Sequence, residues 1–94
     1  MTICKLVKKY IENAREAFEQ IKLGQSISEE GAIRNVLDLA ERYFEDAIYF
    51  VNQKKFETAL CSVAYCEGLL DALRLLELVE FQWVTRNQEE RSIL

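Results

Sequence analysis

Apolar residues recur along this chain at alternating steps of three and four, a spacing that leaves little room for any fold not built from helices. Ile3, Val7, Tyr10, Ala14, Phe18 and Ile21 form one such row, opposite Lys5, Lys8, Glu12, Arg15, Glu16 and Glu19. A second row runs Ile33, Val36, Leu37, Ala40, Tyr43, Phe44, Ala47, Ile48 and Val51. No proline interrupts either row. The first helix is predicted over about Ile3 to Leu23, with Gly24 as its stop. The second is predicted to begin near Ser26 or Ser28, where Glu29 completes a candidate capping box.

The stretch from Tyr49 to Leu60 contains neither Gly nor Pro, yet it must hold a break. The helical period is clear to Val51 and resumes at Phe56, so the sequence NQKK predicts a tight corner. Asn52 is the residue there that best tolerates the left-handed conformation ending a helix. A connection this short joins antiparallel neighbours in an αα-hairpin. A third helix follows over about Lys55 to Val79. Its apolar residues occupy most of the circumference, interrupted mainly by Glu67, Asp71 and Arg74, which predicts a central helix buried on two sides. Leu60, Val63, Leu70 and Leu73 are the expected core. Gly68 reads either as the point of close approach of another helix or as a tolerated surface glycine.

The expectation is therefore an all-α, up-down-up three-helix bundle. It forms one domain over residues 1–84, followed by a polar, mobile tail over 85–94. Ninety-four residues, half of them hydrophobic and 30% charged, are enough for one modest core. No apolar run approaches the roughly 18 residues that span a bilayer, and charges interrupt the N-terminal segment. The reading is a cytoplasmic protein with no membrane partner. A net charge of −4 disfavours nucleic acid, although Lys5, Lys8 and Lys9 cluster.

Histidine is absent, which removes the commonest general base and the favoured nitrogen ligand for metals. Cys4, Cys61 and Cys66 lack the spacing of a disulfide scaffold or a zinc site and read as small buried hydrophobes. No phosphate-binding or calcium loop is present. No catalytic, cofactor or metal residue is expected, and an enzyme is disfavoured. Glu67, Asp71 and Arg74 project from one side of the third helix and read as a solvated ion network or as a strip for a polar ligand. Tyr49 reads as an exposed aromatic on the second helix.

Across about Leu39 to Trp83, the runs ERYFEDAIYF, KKFETAL and GLLDALRLL followed by LVEF resemble the archaeal family called domain of unknown function 357. Glu77 departs from the glycine expected in that pattern. The resemblance implies a small archaeal helical bundle without an established activity, and it supplies no catalytic residue. The leading functional reading is a non-enzymatic interaction or assembly module. The alternative is a small-molecule or nucleotide-binding helper using Glu67, Asp71 and Arg74. The surplus apolar surface of the third helix predicts either a homodimer, with help from Phe81 and Trp83, or another protein partner. The competing expectation is that FQWV folds back and covers that surplus within one chain.

Overall fold

The computed structural model describes residues 1–83; the expected polar tail, residues 85–94, lies outside them. Three helices, α1 (Ile3–Gly24), α2 (Ala32–Asn52) and α3 (Phe56–Leu75), make the all-α bundle that the apolar periods predict. Helix α3 packs against both of the others, while α1 and α2 touch each other least. It is thus the central element. Its inner face supplies Ala59, Val63, Cys66, Leu70 and Leu73, which meet Val7, Ile11, Ala14 and Ile21 of α1 and Leu37, Ala40 and Ala47 of α2. Leu60 packs half-buried at the edge of that core.

The helix ends differ from the sequence expectation in instructive ways. Helix α1 opens on Thr2, whose Oγ1 accepts from Lys5 N at 3.2 Å. Helix α2 starts later than expected, at Ala32, and neither Ser26 nor Ser28 caps it. Its cap is Gly31, with φ 107° and ψ 179°. That conformation is open essentially to glycine alone. Ser28 serves the preceding loop instead, its Oγ accepting from Glu30 N at 3.3 Å. Arg34 closes the same loop by donating from Nε to the Ser28 carbonyl at 3.1 Å. Ile27 anchors the loop by packing against the core.

The α2–α3 corner is as short as the sequence requires, but Asn52 stays helical and Lys54 takes the left-handed conformation, φ 61°. Lys55 N donates to Phe50 O at 2.8 Å and Lys54 N to Val51 O at 2.9 Å, which closes the last carbonyls of α2 in a Schellman motif. Helix α3 ends the same way, four residues before Val79. Glu77 has φ 62°, Leu78 N donates to Leu73 O and Glu77 N to Arg74 O, both at 2.9 Å. The turn reverses the chain and brings Val79 and Phe81 back into the core.

Candidate functional site

At 3.6 residues per turn, the buried positions of α3 centre on one side of the helix, and the opposite sector of roughly 120° holds Cys61, Ala64, Tyr65, Gly68, Ala72, Leu75 and Leu76. Every one of these residues is exposed. Leu75 and Leu76 are each 68% exposed and Tyr65 49%. From Thr58 to Leu76 this outward face carries no charged side chain. The outer faces of the other helices do: α1 shows Lys5, Lys8, Glu12, Arg15 and Glu19, and α2 shows Asp38, Glu41, Arg42, Glu45 and Asp46. The uncharged strip is therefore a property of α3 alone.

Gly68 lies at the middle of this face, and a β-carbon placed there would meet no atom within 4 Å. Among the described residues, no neighbouring helix requires a glycine at this position. Tyr65 leans toward α2 and meets Tyr43 edge-on, ring centroids 4.6 Å apart. Cys61 also opens onto the face, so the reading of all three thiols as buried hydrophobes holds for Cys66 and fails for Cys61. Burial, reinforced by the nearby Glu67 carboxylate, pushes the Cys66 thiol up to about 12. It is inert at neutral pH, because the thiolate is the reactive species.

The polar strip is organised differently from a ligand site. The Asp71 carboxylate accepts through one oxygen, Oδ1, from Arg74 Nε at 3.1 Å, from Arg74 Nη2 at 2.9 Å and from Trp83 Nε1 at 2.9 Å. Trp83 in turn stands edge-on to Phe81 at 4.8 Å, and the Arg74 guanidinium lies 6.0 Å from the Phe81 ring centre. Asp71 and Arg74 thus hold the returning C-terminal segment in place, with Glu67 one turn away on the same flank. Phe81 is buried within the chain and offers no surface to a partner. Trp83 is half-buried. Of the FQWV stretch, Phe81, Gln82 and Trp83 fold back along the α1 flank of α3 and leave its outward face open among the described residues, while Val84 lies outside them. Tyr49 is exposed, at 59%, on the polar side of α2, and its nearest aromatic partner is its neighbour Phe50.

Sequence reasoning missed the residues that receive the returning segment. Gln20 Nε2 donates to Gln82 O at 2.8 Å while Gln82 N donates to Gln20 Oε1 at 2.9 Å, and Glu80 N donates to Gln25 Oε1 at 2.7 Å. Nothing in their spacing distinguishes these glutamines from solvated ones. A cleft of about 590 Å³ lies between α1, the following loop and α2, and Phe18, Ile27 and Phe44 are among the residues lining it. Three cations (Arg15, Lys22, Arg34) and three carboxylates (Glu19, Glu29, Glu41) share that lining, so no single charge class of ligand is selected. None of Glu67, Asp71 and Arg74 lines it. Among the described residues, no group of acidic or thiol side chains is placed to hold a metal ion, and no helix is long and apolar enough to cross a membrane.

The profile of the family described as "Protein of unknown function (DUF357)" matches residues 9–79, which takes in most of α1, all of α2 and α3, and the turn after α3. Comparison with curated proteins and with solved structures gives no match.

Proposed function

The chain belongs to the DUF357 family, described as one of unknown function, and we propose from its own surface that it is a non-enzymatic assembly module whose α3 face takes a second copy of the chain. The observation that carries this reading is the uncharged outward face of α3. Soluble monomers rarely leave a contiguous apolar patch of more than a few hundred Å² in water, and a two-fold dimer is the commonest way to bury one. A face without charge meets its own copy without like-charge repulsion. The outer faces of α1 and α2, dense in charge, have no comparable drive to associate.

The polar strip supports the non-enzymatic part of the reading. Asp71 is engaged with both Arg74 and Trp83, a structural duty for the strip, and among the described residues no acid, base and nucleophile converge there. Sedimentation equilibrium at micromolar concentration is the test. The expected mass is twice the 11.0 kDa of one chain. Leu76→Lys places a charge on the face at an exposed position and is expected to give a folded monomer, judged by an unchanged helical circular-dichroism spectrum. A parent chain that stays at the single-chain mass throughout the micromolar range overturns the proposal.

A further inference from the structure

Resting on that reading, we infer that the second copy lies antiparallel across α3, with the two-fold axis at Gly68 and the basic end of each bundle against the acidic end of the other. Two features point to this arrangement: side-chain size along the face sets the crossing point, and the distribution of charge along the bundle sets the direction.

An antiparallel two-fold pairing centred on residue 68 sets each position opposite the one equally far on the other side. Gly68 then meets Gly68, Ala64 meets Ala72, and Cys61 meets Leu75. Gly68, Ala64 and Ala72 fall where two helices crossing at a point come closest, and the larger Leu75 and Leu76 fall where the helices diverge. Tyr65, near the crossing, leans aside onto Tyr43 of α2. Helix axes approach to 8–10 Å depending on the side chains at the crossing, and glycine with alanine permits the near end of that range. A parallel pairing also sets Gly68 on Gly68, with Cys61 on Cys61 and both pairs of leucines at one end, so the small residues fix the crossing point and not the direction.

Charge supplies the second argument. The hydrogen bonds joining Gln20 and Gln25 to residues 80 and 82 put the C-terminal end of α1 beside the C-terminal end of α3, so the N-terminal end of α1 lies by the α2–α3 corner. That end exposes Lys5, Lys8, Lys54 and Lys55 against Asp46 and Glu57. The far end exposes Glu29, Glu30, Glu77 and Glu80 against Lys22. Parallel association sets like ends together; antiparallel association brings Lys54 and Lys55 of one copy toward Glu77 and Glu80 of the other. Complementary charge of this kind fixes orientation and suppresses the wrong arrangement.

Disulfide trapping reads the register. In a Cys4→Ser background, Cys61 and the buried Cys66 are the remaining thiols, and Leu75→Cys adds one across the expected contact. Residues 61 and 75 are about 21 Å apart along one helix at 1.5 Å per residue, so a bond between them must join two chains. Mild oxidation is expected to give a covalent dimer with Leu75→Cys and none with Cys61 alone. A covalent dimer formed as readily by Cys61 alone overturns the antiparallel arrangement while leaving self-association intact. A parent that sediments as a monomer overturns self-association itself. Charge exchange guards against a cysteine that merely disturbs the face. Lys54→Glu with Lys55→Glu is expected to raise the dissociation constant about tenfold at low salt, and adding Glu77→Lys with Glu80→Lys to restore it. Absence of rescue overturns the orientation.

Discussion

Glu77→Gly should stabilise this protein, because the residue at the end of α3 is held where a side chain is a burden. Its φ of 62° lies in the left-handed region, which costs an L-residue roughly 1–2 kcal/mol through crowding of its β-carbon. Glycine escapes that crowding but brings a more flexible unfolded chain, which costs roughly 0.5–1 kcal/mol. The side chain of Glu77 is exposed, so the substitution opens no cavity. The midpoints of the two ranges differ by about 0.75 kcal/mol in favour of glycine, or about 3–6 °C in Tm for a domain of this size. Urea and thermal unfolding followed by circular dichroism measure it. The chains are compared diluted until they are monomeric, because Glu77 lies in the proposed contact and self-association adds to apparent stability. Glu77→Gln removes the charge and keeps the β-carbon, and should leave the midpoint within about 0.5 kcal/mol. A Glu77→Gly chain no more stable than its parent refutes the dihedral argument. An equal rise with Glu77→Gln assigns the effect to charge.

Gly31→Ala should be destabilising, by about 1–3 kcal/mol, since φ 107° with ψ 179° is a conformation alanine does not adopt without strain; an unchanged unfolding midpoint counts against it. Leu70→Ala, at a side chain with no exposed surface, should cost about 2–5 kcal/mol through lost burial and an unfilled cavity, read in the same urea titration. At pH 8, folded chain diluted until it is monomeric should react promptly at Cys61 with a thiol reagent, while Cys66 reacts only on unfolding. The Cys66 thiol is raised from 9.0 to about 12, so its contribution to stability is complete below pH 9 and is lost as the pH rises from there through 12. Cys66→Ala should flatten that alkaline decline, and an unaltered slope would point to another group.

Much of the fold was legible because each helix has one face that must leave water, and the spacing of that face states the period. The rows through Val7 and Ile21, and through Leu37 and Ala47, needed nothing else. Helix ends were harder to read. The sequence pointed to Asn52 as the left-handed residue on intrinsic tolerance, but α2 continues until Val51 has found its packing partners, and the turn geometry then assigns positive φ to Lys54. Val79 extended the apolar row of α3 because it is buried, as helical residues are; a reversal at Glu77 buries it equally well, and periodicity does not distinguish the two. Glu77 itself was marked by the family resemblance as a place where glycine is expected, and its positive φ gives the physical reason. At the candidate site, the surplus of apolar residues on α3 was legible from composition. Which flank the returning segment would cover was not, since that depends on Gln20, Gln25 and Asp71, polar residues whose partners lie 62, 55 and 12 positions away.

Those separations also bear on the order in which the molecule assembles. The α2–α3 hairpin is closed by bonds between residues three to five apart and can form as a local unit, at little cost in loop entropy. The Gln20–Gln82 pair spans most of the described chain, and it joins peptide groups to a side-chain amide much as two strands join each other. Helix α1 and the segment after α3 are therefore expected to gain these contacts together, after the hairpin, and each loses them if the other is missing. Slow local opening should begin with this pair of chain ends, and amides of α1 should exchange with solvent ahead of those in the hairpin.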